Sequence, residues 1–224
     1  MVALTLACVA PRGPARELAS VAPAPVIAAP VAAAVLEAAD PVEEVLAAAR
    51  STLGETNPRL DGEKVPTDCS GYLRALYARA GLDLFSEERP GDNGVRAILR
   101  FVERYGRFDR APRAAPGDLV FFDNTYDRNG DGRLNDRLTH AGLVEQVLSD
   151  GTMLIVHATN HGIVREAMNL AHPHEAGATI NAPLRRKGAR DGARTPHLMA
   201  ELFAGFGRIF HRERLAQVAP PPDP

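Results

Sequence analysis

The sequence predicts an α+β fold in which helices come first and an antiparallel sheet follows. Apolar residues recur at helical spacing in three segments of the first half of the chain. After Pro116-Gly117 the pattern changes to the short apolar runs and alternation that are typical of β-strands. We therefore expect N-terminal helices that pack on a small antiparallel sheet.

The composition bounds the class of protein. At 224 residues, the chain is long enough for one domain with extensions. Its apolar share of 45% and charged share of 24% are typical of a globular protein. A formal net charge of −2 argues against a nucleic acid or an acidic membrane as a general partner.

Residues 1–39 differ from the rest, because a short apolar run is followed by a Pro/Ala-rich stretch. Two interpretations compete, an export signal whose true start lies upstream and a disordered leader, and we favour export. Leu6-Ala7-Cys8 partly matches the junction at which bacterial lipoproteins are lipidated, so Cys8 is a candidate lipid anchor. We predict a leader and tether at 1–39, a folded domain at 40–215 and a disordered tail at 216–224.

The helices have recognisable first residues. The first is expected after the N-cap Asp40, the second after Asp68, and the third from Asn93 to Gly106. The strands are expected at residues 119–122, 139–147, 152–157, 163–166 and 202–210, with a four-residue loop at 148–151. The loop at 183–194 is basic, and we interpret it as solvated rather than as a polymer-binding surface.

Cys69 is a candidate nucleophile. As the first residue of its helix, it would lie at the positive end of the helix dipole, which favours the thiolate. The simpler interpretation is a small buried residue that only packs. Two histidines in strand-like segments favour the chemical interpretation.

His140 and His157 fall on one predicted hairpin. With the loop at 148–151, His157 lies opposite Gly142 and diagonal to His140 on the same face. We assign Cys69 as nucleophile, His140 as base and acid, and His157 as the group that orients His140. His161 is a rival for the third role. The Cys69 backbone N–H is a candidate oxyanion donor.

Four blocks of sequence resemble the NlpC-type cell-wall cysteine peptidases, which are bacterial enzymes with a papain-like fold. The blocks are Asp68-Cys69-Ser70-Gly71-Tyr72, the seven residues 116–122, His140-Ala141-Gly142-Leu143-Val144 and Val156-His157-Ala158. The resemblance carries the family's catalytic Cys, His and His onto Cys69, His140 and His157. The loop at 57–64 departs from the family pattern, which has an aromatic residue and glycines before the Cys.

The resemblance implies hydrolysis of an amide bond in the peptidoglycan stem peptide, in an exported protein of the bacterial cell envelope, periplasmic or lipid-anchored. The alternatives are an amidase of the related CHAP type and a non-catalytic cell-wall binding module. No cofactor is required for thiol chemistry, and we expect a monomer. Zinc held by Cys69, His140 and His157 is a weaker alternative, because no close-spaced ligand pair includes them.

An insertion before His140 matches the start of an EF-hand calcium loop. Its candidate ligands are Asp127, Asn129, Asp131, Arg133 and Asp136, and Asn135 also fits the ninth position. The twelfth position, which should hold a Glu, is Leu138. Structural calcium and a plain turn loop are therefore both retained as interpretations.

Overall fold

The computed structural model describes residues 40–188 and 191–210. The predicted boundaries at 39, 215 and 216 and the Cys8 anchor lie in or next to the undescribed segments, so they stay predictions. No helix in the described ranges combines the length and the apolar character that crossing a bilayer requires.

The architecture is α+β, with three α-helices and eight strands in the described part of the chain. The helices are α1 (Pro41–Ser51), α2 (Cys69–Ala78) and α3 (Gly94–Tyr105). The strands are β1 (Arg59–Leu60), β2 (Glu63–Lys64), β3 (Arg107–Asp109), β4 (Leu119–Phe122), β5 (His140–Val147), β6 (Met153–Thr159), β7 (Gly162–Met168) and β8 (Phe203–Arg208). Strands β3–β8 form a six-stranded antiparallel sheet in the order β3-β8-β4-β5-β6-β7.

The caps that the sequence predicted begin the helices. The side chains of Asp40, Asp68 and Asn93 each accept a hydrogen bond from a backbone amide of the first turn. Gly106 ends α3, as predicted. The short hairpin of β1 and β2 was not predicted. Its Asp61-Gly62 turn has positive φ at both positions, as the twist of a two-residue hairpin requires.

Both faces of the sheet are buried. Leu119 and Phe121 of β4 belong to the core formed with the helices, whereas Val120 and Phe122 belong to a second core. The second core includes Met199 and Leu202, which precede β8. This explains why β4 is a continuous apolar run rather than an alternating one.

Candidate active site

Cys69 is the first residue of α2, and local packing fixes its position. The Asp68 carboxylate accepts hydrogen bonds from the Gly71 amide at 2.9 Å and the Ser70 hydroxyl at 2.7 Å. A Cβ on Gly71 would come within 2.6 Å of the Cβ of Pro66, so this close approach needs glycine. The thiol is half-buried, unbridged and close to the backbone amide of Ala141 in β5.

Burial raises the pKa of the Cys69 thiol, and the negative charge of Asp68 raises it further. Backbone amides of Ala141, Ser70 and Cys69 itself act in the opposite direction but do not compensate. The amides at the helix N-terminus thus favour the thiolate, as expected, but burial and Asp68 outweigh them and the net pKa is raised. The free site holds a neutral thiol, which a base must deprotonate.

The pairing of β5 with β6 sets the position of the two histidines. Leu143 pairs with Val156, and continuing this register places Gly142 opposite His157. A Cβ on Gly142 would lie 2.7 Å from Ile155 Cγ2 and 3.3 Å from His157 Cβ, so only glycine leaves the space.

The turn differs from the prediction. Val147 pairs with Met153, so five residues rather than four separate the paired positions. A β-bulge between Val144 and Gln146 adds one residue to β5 and restores the predicted register at the histidines.

His140 and His157 are in direct contact. Their Nε2 and Nδ1 atoms are 2.9 Å apart, and the two rings are nearly perpendicular. Because its Nε2 faces His157, His140 has Nδ1 left for a reacting group. The catalytic roles of these residues stay a prediction.

Glu166 of β7 extends this contact and was missed in the sequence. Its Oε2 lies 3.0 Å from Nε2 of His157. His157 is completely buried, whereas 30% of the Glu166 side chain is exposed. His157 pairs with Val164, so Glu166 lies two residues further on the same face of β7. A register derived from the turn at residues 160–161 could have found it.

Burial and the neighbouring His157 lower the pKa of His140 well below its ordinary 6.5. At neutral pH the ring is therefore uncharged and can accept a proton from the thiol. Among the described residues, no hydrogen bond joins Cys69 to His140. Such contacts are often long before substrate binds.

Cys69 and His140 line the same cleft, which has a volume of about 580 Å³. Asn93, Asn160 and Arg186 also line it. Arg186 belongs to the basic loop at 183–194, and its exposed side chain lies at the edge of this cleft. The cleft thus brings together the N-terminus of α2, the start of β5 and a cationic side chain.

The other candidate residues lie elsewhere. His161 is exposed in the turn between β6 and β7, so it does not occupy the third position. Within residues 40–188 and 191–210, no group of three or more His, Cys, Asp or Glu side chains is arranged to hold a metal ion. The geometry offers no support for zinc.

The carboxylates of the acidic insertion bind its own backbone. Asp127 accepts hydrogen bonds from the amides of Gly130 and Gly132, each at 2.8 Å. The buried Asp136 accepts one from the Arg128 amide at 3.0 Å. Such contacts are typical of Asx turns. Calcium binding by this loop stays a prediction.

If the insertion binds calcium, 1 mM Ca²⁺ should raise the thermal midpoint, because ligand binding stabilises the folded state. Asp131→Asn should abolish the shift, whereas Glu103→Gln on the exposed face of α3 should keep it. The measurement is a melting curve with and without calcium. An unchanged midpoint in the wild type would show that the insertion is a plain turn loop that does not bind calcium.

Replacing Asp68 by Asn should make Cys69 more reactive. Asn retains a side-chain acceptor for the cap but removes the charge that raises the thiol pKa. We expect alkylation by iodoacetamide at pH 7.5 to be roughly threefold faster, because the thiolate fraction rises. The rate is measured by mass spectrometry on the Cys69 peptide, with Glu103→Gln as the charge-matched control. Equal rates in the wild type and Asp68→Asn would contradict the assignment.

The lowered pKa of His140 predicts a loss of stability in acid. Below pH 6.5, His140 binds a proton in the unfolded chain but not in the folded one. The free energy of unfolding therefore decreases as the pH is lowered. Between pH 7 and pH 5, this site should contribute a loss of about 1 to 2 kcal/mol.

Urea unfolding at the two pH values measures this loss. His140→Asn should reduce it, whereas His161→Asn should behave as the wild type. The same loss in His140→Asn as in the wild type would show that His140 is not responsible.

Comparison with known proteins identifies the family. A model of the NlpC/P60 family matches residues 53–178, which is more than half of the 224 residues and includes the Cys69, His140, His157 and Glu166 positions. A search of curated proteins finds no match. The resemblance seen in the sequence is confirmed: the chain belongs to the NlpC/P60 family, whose members are in general cell-wall peptidases that act on peptidoglycan.

Proposed function

We propose that the protein is a cysteine endopeptidase that cleaves an amide bond in the peptidoglycan stem peptide. The observation that carries the proposal is the shared cleft of Cys69 and His140, with His157 in contact behind His140. Family membership supports peptidoglycan as the substrate. The α-helix that carries the thiol and the antiparallel sheet that carries the histidines are consistent with a papain-like fold.

The proposed reaction begins with the Cys69 thiol and the His140 imidazole both uncharged. Nδ1 of His140 takes the thiol proton while Sγ of Cys69 bonds to the carbonyl carbon of the scissile amide. The backbone N–H groups of Cys69 and Ser70, at the first turn of α2, are suitable donors to the oxyanion.

The second half of the reaction returns the proton. The C–N bond breaks, the leaving amine receives the proton from His140, and a thioester on Cys69 remains. Water then attacks the thioester and gives a proton to His140, which passes it to the departing thiolate. No cofactor takes part in these steps.

The cleft also fits an acidic peptide. Arg186 is an exposed cation on its lining, and among the described residues it has no ion-pair or hydrogen-bond partner. A stem peptide carries carboxylates that such a side chain can bind. For a substrate in the cell wall, the protein would be exported to the cell envelope, where Cys8 is the proposed lipid anchor.

Digestion of purified peptidoglycan tests the proposal. Wild-type protein should release soluble peptides that are shorter than the stem and leave the rest of the stem on the glycan, where subsequent muramidase digestion shows it by mass as a shortened peptide attached to sugar. Cys69→Ala and His140→Ala should lower the rate at least 100-fold, because nucleophile and base are lost. The exposed His161→Ala is the matched histidine control and should retain the wild-type rate.

The masses also separate the alternatives. Release of intact stem peptides without sugar would indicate an amidase of the CHAP type. Binding to peptidoglycan without any fragment would indicate a cell-wall binding module. Full activity of Cys69→Ala would remove the thiol mechanism altogether.

A further inference from the structure

Glu166 is a polar residue of the site that neither the motif nor the proposed reaction uses. It lies on β7, away from the cleft, and reaches the reacting groups only through His157. The chain of contacts runs from Glu166 to Nε2 of His157, and from Nδ1 of His157 to Nε2 of His140. Each link is a single hydrogen bond of 2.9 to 3.0 Å.

Proton positions along this chain are coupled. A neutral imidazole carries its proton on only one of its two ring nitrogens. That nitrogen donates a hydrogen bond, and the other nitrogen of the same ring can only accept one. A carboxylate can only accept, and Glu166 therefore favours a proton on Nε2 of His157. Nδ1 of His157 is then a lone-pair acceptor, and Nε2 of His140 must be the donor.

This arrangement leaves Nδ1 of His140 without a proton. That nitrogen is the one that remains for the thiol, because Nε2 is engaged by His157. The opposite tautomer would put a proton on Nδ1 and prevent His140 from acting as a base. The choice matters here because the resting thiol is neutral and needs a base to remove its proton.

We propose that Glu166 is a positioning residue, which fixes the tautomers of His157 and His140 so that Nδ1 of His140 faces Cys69 as a free base. The proposal rests on the proposed peptidase function for its catalytic consequence, but not for the tautomers themselves.

The ring protons can be observed directly. Two-bond ¹H–¹⁵N correlation spectra of the histidine rings distinguish Nδ1–H, Nε2–H and doubly protonated forms, with His140→Gln and His157→Gln for assignment. In the wild type at pH 7.5, we expect both rings to carry their proton on Nε2. A proton on Nδ1 of either ring would overturn the proposal, whatever the variants do.

Two substitutions separate the role of Glu166 as a hydrogen-bond acceptor from the role of its negative charge. Glu166→Gln and Glu166→Leu both remove one negative charge, but only Gln keeps an oxygen that can accept from His157. We expect Glu166→Leu to mix the tautomers and to lower kcat for peptidoglycan fragments at least tenfold with KM unchanged. Glu166→Gln should keep the tautomers and most of kcat, and Glu103→Leu is the control for a remote loss of charge.

Each other outcome also decides the matter. Wild-type tautomers and wild-type kcat in Glu166→Leu would overturn the proposal, as would a Glu166→Gln variant that is as slow as Glu166→Leu with unchanged tautomers. If the wild type releases no fragments at all, the proposed peptidase function fails, while the ring spectra still test the role of Glu166.

Discussion

The contact between His140 and His157 depends on the register of two strands, and the rest of the site depends on that contact. A shift of one residue between β5 and β6 would turn one ring to the other face of the sheet. Three local features prevent the shift: the bulge between Val144 and Gln146, the space left by Gly142, and the pairing of β6 with β7 along seven residues. The site is thus a property of the sheet rather than of the loops around it.

Burial and helix geometry act against each other at Cys69. The amides at the N-terminus of α2 favour the thiolate, whereas the half-buried position and the carboxylate of Asp68 favour the thiol. The same Asp68 begins the helix that presents the sulfur. The residue that caps the helix therefore adds to the effect of burial in raising the pKa of the Cys69 thiol.

Features that depend on local chemistry could be predicted from the sequence. The limits of β4 and the caps Asp68 and Asn93 follow from apolar runs and capping residues, and the structure has them where expected. The diagonal placement of His140 and His157 could be predicted because a hairpin loop with an even number of residues puts both side chains on one face of the sheet. It is present although the turn is one residue longer, because the bulge compensates.

Features that depend on distant partners could not be predicted. Strand β3 exists because it pairs with β8, which lies about 100 residues later. Glu166 contacts His157 only once β7 is in register, and the pKa of Cys69 depends on burial by the whole fold.

The strand order has a consequence for how the protein matures. Strand β8 is the last strand in the described part of the chain, yet it lies inside the sheet between β3 and β4. Neither the sheet nor the second core can close until residue 208 has left the ribosome and inserted. During synthesis the sulfur and the two rings are thus all present well before the scaffold that aligns them, and the cleft that Cys69 and His140 share forms only with the final insertion.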